Sequence, residues 1–169
     1  PPRPPKRQAR DIVRGAPPPS PPRSARALKG AGRLKMPPPL RSERDRLALI
    51  EALRDGTIDI LATDHAPHSR EEKSRGLAGS AFGITGLETA FPLLWTGLVE
   101  PGIITRERLV ELMSTAPARR FGIESGLEPG GPAPFAGFEA GTTYRVDPER
   151  VASQGRASRF GGRGVRGGG

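Results

Sequence analysis

The chain has 169 residues, enough for one domain, but its 23 Gly and 20 Pro exceed what a packed domain of that length usually carries, so part of it is expected not to fold. Its formal charge of +9 is uneven: residues 1–36 hold ten Lys/Arg against one Asp, residues 37–150 hold thirteen against seventeen Asp/Glu, and the last nineteen add four Arg and no acid. The basic character belongs to the two ends, which disfavours a nucleic-acid role for the mildly acidic centre; the lack of Cys excludes disulfides and thiolate metal sites and fits a cytoplasmic chain, and no membrane span or signal-peptide core is present.

Residues 1–35 cluster their prolines, hold few large apolar residues and sustain no period of 3.6 or 2, which predicts a disordered or polyproline-like arm. An electrostatic tether for RNA or an acidic partner is disfavoured against a merely solvated Pro/Arg mixture. Pro, Arg, Ala and Gly are also the products of GC-rich codons, so a stretch read out of frame would have the same composition. From Ser42 the pattern changes. SERDRLALIEALRDG has a capping Ser42, Asp45 in the first turn, Leu47, Ile50 and Leu53 on one face, and Gly56 as terminator, the signals of a helix. Thr57-Ile58-Asp59-Ile60-Leu61-Ala62 follows and reads as a buried strand. Helix, tight turn and strand form the repeating step of an α/β barrel or doubly wound sheet. After Thr63-Asp64-His65-Ala66-Pro67-His68 a polar loop is expected to about Gly83, then helices over 87–99 and 105–113 and a turn at 117–121. Beyond Gly130 the chain is again Gly/Pro-rich, relieved by one short strand over 142–146, and residues 151–169 are expected to lack stable tertiary contacts.

An Asp at the C-terminal end of a buried strand, with two His within four residues, is where a parallel α/β fold keeps catalytic groups. A carboxylate can bind a divalent metal and exchange a proton with metal-bound hydroxide, while imidazoles can ligate metal or hydrogen-bond an anion. By spacing alone the D-H-x-x-H pattern leaves a second reading open, in which Asp64 caps the following turn and both histidines are simply exposed.

Several linked motifs add a resemblance. Ala62-Thr63-Asp64-His65-Ala66-Pro67-His68, with Lys73 five residues on, resembles the second signature of dihydroorotases; Pro38-Pro39-Leu40-Arg41-Ser42-Glu43, Phe82-Gly83-Ile84-Thr85-Gly86-Leu87-Glu88-Thr89-Ala90 and Ala116-Pro117-Ala118-Arg119 resemble further segments of that family. The similarity covers roughly 36–132, with weaker echoes at 146–150 and 155–160. It implies an α/β chain that is the C-terminal part of a (β/α)8 metal-dependent amidohydrolase barrel with a remnant of the small β-domain. The implied organisation is an arm at 1–35, barrel at 36–132, and a degraded β-domain remnant with a Gly/Arg-rich tail at 133–169. The implied activity is zinc-dependent interconversion of N-carbamoyl-L-aspartate and L-dihydroorotate in pyrimidine biosynthesis, with two zinc ions in the intact enzyme. Asp64 would ligate zinc and shuttle the proton, His68 would hold the substrate carboxylate, and the Phe82–Gly83 backbone would contact the ring amide and carbonyl groups. His65 would shape the loop. A small-molecule substrate is implied, homo-oligomers and a partnership with aspartate transcarbamoylase are admitted, and a membrane is not involved. Hydantoinases and allantoinases share the barrel and the strand-end Asp, but the Ala-Pro-His after it favours dihydroorotase.

The departures from that pattern are equally specific. The other metal ligands of the family would lie upstream of Met36, where residues 1–35 contain no His, and Pro37 stands where the family has a substrate-binding Asn. One carboxylate cannot hold two ions, so the chain by itself is expected to be inactive. A real but non-catalytic dihydroorotase-like protein is the alternative reading, as is another cyclic amidohydrolase.

Overall fold

A computed structural model describes residues 7–8, 31–36, 43–124, 126, 129–131 and 135–168. Most of the arm at 1–35, the proposed cap Ser42 and the position of Pro37 lie outside these residues. The first long element, α1 (Glu43–Arg54), buries Ile50 and Leu53. Leu47, expected on the same face, is 51% exposed, because the core covers only the C-terminal half of this helix. Gly56 ends the element at φ 85°, a conformation open to glycine, and the Asp55 carboxylate accepts from Thr57 N at 2.8 Å to close the turn.

The expected strand over 57–62 buries Ile58 and Leu61, but its ladder is confined to β2 (Leu61–Ala62). Its partner is β1 (Arg7–Gln8), paired in parallel with Arg7 opposite Leu61. Two residues of the arm thus belong to a sheet, which the composition of 1–35 does not suggest. The loop to Gly83 is more ordered than expected as well: it holds two single-turn helices, α2 (Arg70–Lys73) and α3 (Gly76–Gly79).

The helix expected over 87–99 forms as α4 (Leu87–Leu94), continued by a wider π turn at Trp95–Val99. Pro92 lies inside it and withholds one donor from the ladder. Thr105 starts the next helix as its cap, accepting from Arg108 N at 3.1 Å, and α5 (Arg106–Val110), a π turn at Glu111–Thr115 and α6 (Ala116–Phe121) run on without a break to Gly122 at φ 67°. Arg108 ties this run to the first helix and strand. It donates to the carbonyl of Leu53 at 3.2 Å, an acceptor that the end of α1 leaves open, and to that of Ile58, in the segment leading into β2, at 2.9 Å.

The C-terminal region corrects the expectation of a segment without tertiary contacts. β3 (Glu139–Arg145) and β4 (Gly164–Gly168) pair antiparallel, and Val146, Phe160 and Val165 are buried in one cluster with Leu53, Leu94 and Leu109. Phe138 meets Phe91 edge-on at 4.7 Å and Trp95 at 5.0 Å, and Arg166 pairs with Glu100, so the hairpin is fastened to α4 and its π turn. Among the described residues no helix is long and apolar enough to cross a membrane.

Candidate active site

β2 ends at Ala62, and two residues on Asp64 is exposed at the strand end with φ 48°, the one non-glycine at positive φ among the described residues. Left-handed backbone costs an L-residue about 1–2 kcal/mol, least for Asn and Asp, so the surrounding loop must impose it. It does so by bonds on the C-terminal side: His65 N donates to Thr63 Oγ1 at 3.3 Å and Ala66 N to Ile84 O at 3.0 Å. The His65 ring then closes the start of α4. Its Nδ1 accepts from Gly86 N at 3.2 Å and Leu87 N at 3.1 Å, taking the place of the side-chain cap that Gly86 cannot supply. A nitrogen that accepts two amides carries no proton, so the ring proton is on Nε2.

Three residues later the chain turns into α2 through a capping box. Glu72 N donates to Ser69 Oγ at 3.1 Å and Ser69 N to Glu72 Oε2 at 2.9 Å. The Ser69 amide and hydroxyl, with the nearby His68 ring, hold the Glu72 carboxyl below the usual glutamate range. His68 Nε2 donates to Phe82 O at 2.8 Å while its Nδ1 lies 3.5 Å from Glu72 Oε2. The ring is thus held between a carbonyl and a carboxylate.

The residue after Phe82 has to be glycine. Gly83 sits at φ 138°, and a Cβ there would stand 2.6 Å from Ala66 O, 2.7 Å from Ala66 Cβ and 3.0 Å from the His68 ring. Gly83 N donates to Lys35 O at 3.0 Å, and its carbonyl accepts from the Lys73 ammonium at 2.8 Å. Lys73 is 3% exposed and also donates to Lys35 O at 2.9 Å and Ala81 O at 2.8 Å. Burial, and secondarily the Lys35 ammonium, pull its pKa down. The Phe82 ring projects outward, with Lys35 Nζ 4.3 Å from its centroid.

Of the residues singled out in the sequence, His68, Phe82 and Gly83 therefore meet in one cluster, and Asp64 stands at the strand end of the loop that carries His68. The backbone of 82–83 is already engaged in part: a ligand would find the Phe82 N–H and the second lone pairs of the two carbonyls. Beside His68 opens a cavity of about 350 Å³ lined by Arg33, Arg70, Lys73 and Arg156, with Glu149 paired to Arg70. Arg33 and Arg156 escape sequence reading, since each is one Arg among many in a basic segment and only the fold brings them beside His68. A larger cleft of about 830 Å³ between α4 and β3 is lined by none of these site residues.

The donors among the described residues do not make a metal centre. Among the described residues no three His, Cys, Asp or Glu cluster, the sequence holds two His and no Cys, and both imidazoles are committed as described.

Comparison with known proteins gives a consistent picture. The amidohydrolase family profile matches residues 22–157, wider on both sides than the motif-bearing stretch 36–132. The dihydroorotase of Bacillus caldolyticus is 51% identical over 129 residues, and that of Brevibacillus brevis 52%. Each match covers 76% of this chain and 30% of the relative, so the chain spans about a third of the length of these enzymes. Among solved structures, the L-hydantoinase (dihydropyrimidinase) from Arthrobacter aurescens superposes with a TM-score of 0.73 at 33% identity, covering 83% of this chain and 33% of that one. A D-hydantoinase from a Thermus species gives the same score at 26% identity.

Proposed function

Because the chain belongs to the amidohydrolase family, we propose that it is the part of a dihydroorotase that supplies the strand-end carboxylate and one wall of the substrate pocket. The reaction is the reversible, zinc-dependent cyclisation of N-carbamoyl-L-aspartate to L-dihydroorotate in pyrimidine biosynthesis. Asp64 contributes one metal ligand and exchanges the proton of the reaction, a double task that suits a carboxylate at a strand end. The Arg-lined cavity receives the substrate's carboxylates, with the His68 ring forming part of its wall and fixing the approach, and the edge of 82–83 faces the ring amide. The remaining zinc ligands are not among the described residues, and the isolated chain is accordingly inactive.

The observation that carries this reading is the closure of two separate motifs on each other, with His68 Nε2 on Phe82 O at 2.8 Å and Gly83 pressed against Ala66. Two loops that shape one pocket wall explain why both motifs are kept at family spacing. The choice among cyclic amides rests on identity, about half to dihydroorotases against a third to the L-hydantoinase. A hydantoinase-type substrate is the second reading, favoured by the shared fold of those structures.

A segment exchange tests both. Residues 36–132, with Pro37→Asn, replace the corresponding segment of the Bacillus caldolyticus enzyme, and turnover of dihydroorotate and of hydantoin is measured. Dihydroorotate turnover is expected, with Asp64→Ala lowering kcat by more than the ~10²–10⁴-fold of acid–base catalysis alone and His68→Ala acting mainly through KM. A folded chimaera that prefers hydantoin, or that keeps near-normal turnover with Asp64→Ala, overturns the assignment.

A further inference from the structure

Lys73 is the most deeply buried charge among the described residues, and no role for it follows from the reaction. A solvated lysine has three ammonium protons and many geometries open to it, whereas this one has each donor met by a different backbone carbonyl: Lys35 O, Ala81 O and Gly83 O at 2.8–2.9 Å. Those carbonyls belong to two segments far apart in the sequence. The segment at 35 joins the 3-10 turn Ala31–Leu34, and the segment at 81–83 is the pocket edge. The two also bond directly, through Gly83 N to Lys35 O, and Ala81 N returns to Glu72 O on Lys73's own helix. The residue between the two carbonyls on the pocket edge is Phe82, whose own carbonyl receives the His68 proton.

From this geometry we infer that Lys73 is a positioning residue: by drawing the carbonyls of 81 and 83 onto one ammonium, it turns the intervening Phe82 carbonyl toward His68 and so fixes that ring's orientation and tautomer. Lys73 touches no reacting atom. It acts through Phe82 on His68, and the inference rests on the reading of His68 as a substrate-handling group. A desolvated ammonium is suited to the task because three converging carbonyls cannot be satisfied by any neutral side chain of that length, and arginine's planar fork aims its donors differently. The short spacing from His68 to Lys73 has the same explanation. One turn of capped helix carries the chain from the ring to the ammonium that holds the ring's partner.

The test needs no enzymatic activity, so it is independent of whether the substrate is dihydroorotate. In the full 169-residue chain, amide exchange and the ring ¹⁵N signals of His68 are compared for the unsubstituted protein, Lys73→Met and Lys73→Arg. The expected result for Lys73→Met is at least a tenfold faster exchange of Gly83 and Ala81 amides and loss of the hydrogen-bonded Nε2–H signature of His68, with Leu109 and Glu100 amides unchanged. Lys73→Arg should recover part of the exchange protection without restoring the His68 signature in full. A Lys73→Met chain with an intact core and an unaltered His68 signature overturns the proposal. Should Lys73→Met unfold the core, the Lys73 Nζ resonance of the unsubstituted chain decides the matter. Slowly exchanging ammonium protons support the three-carbonyl clamp, and exchange at the rate of solvated lysines refutes it.

Discussion

At position 83 the backbone leaves room for no side chain, and this is a sharper constraint than the positive φ alone. Gly102 has a comparable sign of φ, 71°, but nothing within 4 Å of where its Cβ would be. Replacing Gly102 by Ala should therefore cost only the left-handed penalty, about 1–2 kcal/mol. Gly83→Ala adds a clash with the Ala66 backbone, which cannot swing aside, and overpacking of about 1–3 kcal/mol should come on top of the strain. Urea melts of the two variants measure the difference, and equal losses would show that the 66–83 contact is looser than the distances indicate. The same pair of loops shows what the sequence discloses at this scale. Asp64, His65 and His68 stand out because chemistry-bearing side chains crowd a few positions after an apolar run. Lys73 also stands out as part of a motif, but its work does not, because its partners are backbone carbonyls and carry no residue-type signal.

Among the elements, the short helix α2 has a pH response that can be read residue by residue. Glu72 is held in its charged form by the Ser69 amide and hydroxyl and by His68, so its folded pKa lies below its unfolded one. The stabilisation is then complete above the ordinary glutamate range and is lost as pH falls through the depressed value. Amide protection over 70–73 should accordingly fall on the acid side of that range while the Leu109–Leu112 core stays protected, and Glu72→Gln should remove the transition. Protection that is flat with pH in the unsubstituted chain would mean the capping box is not formed in solution. The C-terminal hairpin offers a second contrast. Beyond 150 its composition reads as disordered because Gly and Arg dominate, yet Phe160 and Val165 join Val146 in the core, while Phe138 packs on Phe91 and Trp95. Such spacing has no period for a sequence reader to detect. The exposed Phe135, by comparison, is equally prominent in the sequence and contributes to no core. Phe160→Ala should cost about 3–5 kcal/mol and Phe135→Ala stay within about 0.5 kcal/mol, read from thermal or denaturant melts. Similar small effects for both would return the segment to the disordered class.

For the whole molecule, the limiting fact is the supply of metal donors. The helix–turn–strand step, the helices that follow the site loop and the linked motifs made the α/β barrel portion legible from the sequence, whereas α2, the helix that lines the pocket, fell in a stretch read as loop. The parallel partner of β2 and the docking of the C-terminal hairpin were not, because each joins residues more than forty positions apart, Arg7 with Leu61 and Phe138 with Phe91 and Trp95. The metal site is legible by count. The chain has two histidines and no cysteine, His65 Nδ1 is occupied by the amides that open α4, and His68 is held between Phe82 O and Glu72. Freeing either ring would uncap a helix or release the pocket edge, a cost that a single additional carboxylate from Asp64 cannot offset for a divalent ion that ordinarily takes three or four protein ligands. The isolated chain, dialysed against micromolar zinc and passed over a desalting column, should therefore retain well under one zinc per molecule by elemental analysis, and added zinc should leave its melting temperature unchanged. The segment-exchange chimaera, which supplies the missing donors, should retain zinc and lose part of it on Asp64→Ala. Stoichiometric zinc on the isolated chain would require the two histidines to abandon the bonds that build the site, and would show that the loop from Asp64 to Gly83 rearranges around the metal.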